Sequence, residues 1–169
     1  LLALNHLWQL GLSRQCLQEI GLQLGADVPV FIFGQNAFEE GLGEALQSVD
    51  VPPAWYVVLE PPVLVPTATI FGAPELERNT APIRVVDWKP GVGRNDLEPV
   101  TAARYPAVAE HLRWLSAFGE ARMTGSGACV FSVWQQREDA QAVIEHLPEH
   151  MRGWIAVGLD RHPLYALIA

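Results

Sequence analysis

The feature that most constrains this chain is the string Met123-Thr124-Gly125-Ser126-Gly127-Ala128-Cys129-Val130-Phe131. Apolar runs, 121–123 and 128–134, stand on both sides of a short glycine-bearing turn. Two strands are therefore predicted, joined by a loop whose backbone must turn tightly or approach another group closely. Upstream, Trp55 to Glu60 reads as a strand, a proline-rich passage from Pro61 to Pro66 leads into a short helical segment at 67–71, and 72–94 reads as an exposed loop. Asp96 is placed to cap a helix through Arg104, Tyr105-Pro106 interrupts it, and 107–118 forms a second helix with Val108, Leu112 and Leu115 on one face. Residues 138–147 read as a further helix and 154–158 as a last strand. Strand, helices, two strands, helix, strand is the ferredoxin-like order, an α/β sandwich within the α+β class.

The first fifty residues read differently. Apolar positions 1, 4, 7, 8 and 12 fall near a helical period, and Ser13 is placed to cap a second helix through Leu24, which Gly25 closes in the left-handed conformation. Asp27 to Phe33 is an apolar run that predicts a short buried strand, since Pro29 disfavours helix. Residues 38–44 read as strand or turn, and 48–54 have the proline content of a linker. Two domains are expected, 1–50 and 51–169.

The chain has 169 residues, enough to bury roughly 70% of the surface of its unfolded form. With 11 basic against 19 acidic residues the net charge is −8, and Lys89 is the sole lysine. Such a surface has little to neutralise nucleic-acid phosphates or anionic membranes, so neither is expected as a partner. No apolar run is long enough to span a bilayer and no signal peptide is visible, which reads as cytoplasmic. Cys16 and Cys129 make neither a disulfide framework nor a metal cluster, and both read as buried structural thiols. The five histidines show no ligand spacing, and no metal site is expected. The opening Leu1-Leu2-Ala3-Leu4 has no Met and lies inside an apolar stretch, so a segment is expected upstream.

Four places could carry chemistry. Asp27, at a corner between apolar segments, is either a partly desolvated carboxylate able to take or orient a hydroxyl proton, or a turn aspartate bonded to nearby amides. Thr124, Gly125, Ser126, Gly127 and Ala128 form either a nest of amides for phosphate oxygens or a plain hairpin turn. Phe71, near Thr67, is either an exposed ring able to stack on a flat base or a core residue. Gly41-Leu42-Gly43-Glu44 presents backbone groups to a ligand or is a strand with a bulge.

Read jointly, these strings are more specific. Residues 24–31 (LGADVPVF), 40–44 (EGLGE), 66–71 (PTATIF), 78–80 (RNT), 95–98 (NDLE) and 123–131 (MTGSGACVF) resemble, in order and over nearly the whole chain, the cytidine-substrate kinases of the GHMP kinase superfamily. The resemblance implies transfer of the ATP γ-phosphoryl group to the 2-hydroxyl of 4-diphosphocytidyl-2-C-methyl-D-erythritol, in non-mevalonate isoprenoid biosynthesis. It implies Asp27 as the catalytic aspartate, Thr124 to Ala128 as the glycine-rich phosphate loop, Phe71 with Thr67 as the cytosine platform, and Leu42 as a backbone contact to the cytidine. ATP and Mg2+ are the implied cofactors, and a small diphosphocytidyl molecule the substrate.

The superfamily's serine- and glycine-rich ATP loop occurs nowhere in the 169 residues, and neither does the lysine that partners the aspartate. The chain is therefore expected to be a C-terminal portion that is inactive alone, with ATP and Mg2+ held mainly by the segment before it. Apolar surface exposed on 1–10 is then expected to drive self-association. The alternatives are another small-molecule kinase of the superfamily, or a non-catalytic ferredoxin-like binding domain.

Overall fold

A computed structural model describes residues 1–167; residues 168–169, the end of the expected second domain, lie outside the described residues. Contacts divide the chain into two units: Leu1–Pro52 together with Leu159–Ala169, and Pro53–Gly158.

In the first unit, α1 (Leu2–Leu7) and α2 (Arg14–Leu24) come first. Ser13 caps α2 as its pattern predicts, its hydroxyl accepting from Cys16 N at 3.2 Å. Gly25 ends the helix in extended backbone, φ 166°, and not in the left-handed conformation expected of it. The following apolar run forms α3 (Val28–Phe33) and not a strand. Proline bars helix only where its nitrogen would have to donate; Pro29 stands in the first turn, where no helical partner exists for that nitrogen. Leu2, Leu17 and Ile32 form the buried cluster of this unit, with Leu12 and Val28 packed against it. A hairpin follows, β1 (Ala37–Glu40) antiparallel to β2 (Ala45–Ser48). Residues 159–167 fold with this unit instead of continuing the second. His162 N donates to Gly34 O at 2.9 Å, and Arg14 reaches Tyr165 O at 2.7 Å with its guanidinium stacked 4.3 Å from the Tyr165 ring.

The second unit carries β3 (Trp55–Leu59), α4 (Thr67–Phe71), α5 (Leu97–Arg104), α6 (Pro106–Ser116), β4 (Ala121–Met123), β5 (Val130–Trp134), α7 (Arg137–Glu145) and β6 (Gly153–Val157). Its sheet runs β4-β5-β3-β6 with every pair antiparallel, the ferredoxin-like arrangement that the order of elements predicts. Alternate residues of the central strand, Val57 and Leu59, are fully buried. They meet Ile70, Val100, Val108, Leu115, Val130 and Val143 in one core. Each such aliphatic side chain contributes about 1.5–3 kcal/mol relative to exposure. His111 takes the buried place on α6 beside Val108 and Leu115, while Leu112 packs at the margin. The start of α5 departs from expectation. Asp96 makes no cap bond; Asn95 Oδ1 instead accepts from Leu97 N at 3.0 Å, and the Asp96 carboxylate pairs with Arg94 at 2.6 Å. Among the described residues no helix is long and apolar enough to cross a membrane.

Candidate functional site

The glycine-rich turn between β4 and β5 is closed at its base by Thr124 N donating to Cys129 O, and within by Gly127 N donating to Thr124 O, each at 3.0 Å. Among the described residues, the N–H groups of Gly125 and Ser126 make no such backbone bond. Gly127 has φ +98°, a conformation that favours glycine, and a Cβ there would lie 3.0 Å from Met123 Sδ and 3.1 Å from Thr101 Cγ2, so those side chains would have to give by a few tenths of an ångström. Partly buried Cys129 follows the turn; burial, and then the nearby Glu60 carboxylate, pushes its thiol up from the ordinary value. Neither cysteine is fully buried, contrary to the reading from sequence.

Three side chains from α5 and the residues just before it hold this turn. Asn95 Nδ2 donates to Met123 O (3.1 Å) and to Gly125 O (2.7 Å). Glu98 Oε2 accepts from Met123 N at 2.7 Å, and buried Thr101 donates its hydroxyl to Ser126 O at 3.1 Å. From the other side, the Thr67 and Ser126 hydroxyls lie 3.0 Å apart, so the structure brings two of the sequence-predicted groups into contact.

Thr67 opens α4 and Phe71 closes it. The Phe71 side chain is 53% exposed, which rules out the core reading for this ring. A five-residue helix is too short to be stable alone, and two arginines tie its carbonyls. Arg78 donates to Phe71 O (2.6 Å) and Ala73 O (3.3 Å), while Arg104 donates to Thr69 O (3.3 Å) and, through Nε and Nη2, to the two carboxylate oxygens of Glu75 at 2.6 and 2.9 Å. The Arg104 hydrogen bond holds the Glu75 carboxyl below its usual value and raises the guanidinium in turn. A cavity of about 570 Å³ opens beside this network, lined by Glu75, Arg94, Asn95, Glu98, Arg122 and Phe131 among others.

In the first unit, Asp27 stands at the N-cap of α3 with φ −77° and ψ −10° and makes no cap bond. It is exposed, not the partly desolvated carboxylate that sequence reasoning allowed. The β1–β2 turn packs backbone to backbone on the same corner: a Cβ on Gly43, whose φ is +104°, would fall 2.2 Å from Ala26 O. That contact seats Leu42, 77% exposed, on the turn beside the Asp27 corner, with its N–H donating to Glu44 Oε2 at 2.6 Å. Among the described residues no three His, Cys, Asp or Glu side chains converge as a metal site.

Sequence reasoning missed Asn95, Glu98, Thr101, Arg78 and Arg104 as builders of this region. A signal existed for some of them: Asn95 and Glu98 bound one of the strings behind the family resemblance, and Arg78 opens another.

Residues 86–153 match the family model described as GHMP kinases C terminal. The 4-diphosphocytidyl-2-C-methyl-D-erythritol kinase of Thiobacillus denitrificans is 59% identical over 99% of this chain and 60% of its own length. That of Dechloromonas aromatica is 57% identical over 97% of this chain and 60% of its own length. A solved structure titled as a crystal structure of 4-(cytidine 5'-diphospho)-2C-methyl-D-erythritol kinase superposes with a TM-score of 0.74 at 28% identity, covering 92% of this chain and 60% of that one. The chain thus spans about three fifths of the length of the relatives it matches. In sequence and in fold, the chain is similar to the 4-diphosphocytidyl-2-C-methyl-D-erythritol kinases over about three fifths of their length, with a GHMP kinase C-terminal match within it.

Proposed function

We propose that this chain serves the ATP-dependent phosphorylation of the 2-hydroxyl of 4-diphosphocytidyl-2-C-methyl-D-erythritol, a cytoplasmic step of non-mevalonate isoprenoid biosynthesis. The observation that carries the reading is the hydroxyl pair of Thr67 and Ser126, 3.0 Å apart. It fastens the helix bearing the exposed Phe71 ring to a loop with two amides outside its backbone bonds, an arrangement suited to a ligand that has both a flat base and phosphoryl groups. The exposed Phe71 ring within the Pro-Thr-x-x-Ile-Phe string favours a base-bearing substrate over mevalonate, homoserine or a sugar.

In this reading the roles divide as follows. Asp27 accepts or orients the proton of the substrate hydroxyl as its oxygen bonds to the γ-phosphorus and the bond to the β–γ bridging oxygen breaks, releasing ADP. The Gly125 and Ser126 N–H groups, within the loop Thr124 to Ala128, donate to phosphate oxygens, and the absence of any atom within 4 Å of a Cβ position on Gly125 leaves room for them. Phe71 stacks on the cytosine, an interaction of about 1–3 kcal/mol. Thr67 lies beside the base. Leu42 meets the cytidine through its carbonyl, since its N–H is already engaged by Glu44. ATP supplies the transferred group. Mg2+ ordinarily rides on phosphates with one or two carboxylates and several waters; among the described residues no three His, Cys, Asp or Glu side chains converge to hold it.

Expressed at the length of its relatives, the protein is expected to phosphorylate the diphosphocytidyl alcohol with ATP. Gly125→Val, which sets a side chain where phosphate would approach backbone, is expected to abolish turnover; an unchanged rate would leave the loop as a hairpin turn and nothing more. The 169-residue chain alone is proposed to be inactive and to self-associate through Leu4, Leu7, Trp8 and Leu10, which are 43%, 71%, 65% and 52% exposed.

A further inference from the structure

Gly125 has φ +54°, and beyond its chain neighbours no described atom lies within 4 Å of a Cβ position there. Polar ties on the carbonyls help to set the conformation of the turn. Asn95 makes two of these with one nitrogen, to Met123 O and Gly125 O, while its Oδ1 holds Leu97 N at the start of α5. A trans peptide is planar, with C=O and N–H pointing to opposite sides. Pinning Gly125 O on Asn95 thus turns the Ser126 N–H, in the same peptide plane, away from the Asn95 amide. The neighbouring tie, Thr101 to Ser126 O, leaves the next N–H, that of Gly127, for the internal bond to Thr124 O.

We infer that Asn95 is the positioning residue of the glycine-rich loop, fixing the direction in which the Ser126 amide is presented. Its consequence for turnover rests on the phosphate-loop reading above; the positioning itself does not. The helix cap and the loop clamp use different atoms of the same side chain, so one substitution separates them. Asn95→Asp keeps the oxygen that accepts from Leu97 and replaces the donor with an acceptor facing two carbonyl oxygens. Asn95→Ala removes both.

The test begins with the unaltered chain. The Asn95 side-chain NH2 protons are expected to exchange with solvent about tenfold more slowly than those of exposed Asn79. Equal rates would overturn the clamp without any variant having to fold. In Asn95→Asp, backbone amides at 124–129 are expected to exchange about tenfold faster while those of Leu97–Arg104 stay within about twofold of wild type. In Asn95→Ala both segments accelerate. Unchanged loop exchange in Asn95→Asp, or acceleration of α5 in step with the loop, would reduce Asn95 to a helix cap. At the length of the relatives, Asn95→Asp is expected to raise the KM for ATP about tenfold with a smaller change in kcat. A normal KM for ATP in that variant would overturn the catalytic consequence of the clamp. A wild-type protein with no ATP turnover would sink the proposed function and leave the exchange experiment to decide the clamp.

Discussion

The Thr67 Oγ1 and Ser126 Oγ atoms lie 3.0 Å apart and join the start of α4 to the glycine-rich loop. The bond is solvent-exposed, so its net worth lies at the low end for hydrogen bonds. Thr67→Val and Ser126→Ala are each expected to cost about 0.5–1 kcal/mol, and the double variant little more than either alone. Urea unfolding of the three variants checks this; fully additive losses would show that the two hydroxyls do not interact.

Arg104 holds Glu75 below the ordinary carboxylate value chiefly through its hydrogen bonds. A carboxyl depressed in the folded state contributes stability that is present above its unfolded pKa and lost as pH falls through the depressed value. The tie on α4 is therefore intact at neutral pH and loosens only in acid. Arg104→Gln is expected to return the Glu75 carboxyl toward its ordinary range, observed by carbon NMR of its Cδ. An unmoved titration would remove Arg104 as the cause.

Gly43 and Gly125 both have positive φ, but their surroundings differ. Alanine at 43 would meet Ala26 O at 2.2 Å, whereas alanine at 125 meets nothing within 4 Å. Gly125→Ala is expected to cost about 1 kcal/mol from backbone strain alone, and Gly43→Ala about 1–2 kcal/mol more, because backbone must shift. Thermal unfolding of the two variants ranks them; equal losses would contradict the close approach of the hairpin turn to the Asp27 corner.

Much of the second unit was readable because its strands and helices announce themselves locally. Branched and aromatic runs set the strands, Tyr105-Pro106 divides α5 from α6, and the order of elements gives the sheet. The failures have local or long-range causes. Pro29 reads as a helix breaker although proline fits the first turn, and Asp96 reads as the cap of α5 although its neighbour Asn95 makes the bond. The return of 159–167 to the first unit depends on bonds such as Arg14 to Tyr165 O, which no local pattern signals. Motif strings gave the positions of Thr67, Phe71 and the loop. The ties from Asn95 and Thr101 to the loop and from Arg104 to α4 span 30, 25 and 35 residues of sequence, and no local pattern signals such a relation.

The apolar side chains at α1 give a prediction for the chain as it stands. Sedimentation velocity is expected to show concentration-dependent self-association, which Leu7→Ser with Trp8→Ser reduces. A monodisperse monomer at high concentration would contradict the assignment of that surface to a second copy.

Phosphoryl transfer itself tests the central claim most directly. With the protein at the length of its relatives, phosphorus NMR should show ATP-dependent formation of a phosphate monoester on the 2-hydroxyl of 4-diphosphocytidyl-2-C-methyl-D-erythritol, and none on mevalonate, homoserine or a sugar. Asp27→Asn should lower the rate by about 100-fold or more while leaving unfolding unchanged, since the carboxylate is exposed. Turnover of the other alcohols in preference to the diphosphocytidyl substrate, or full activity in Asp27→Asn, would contradict the account.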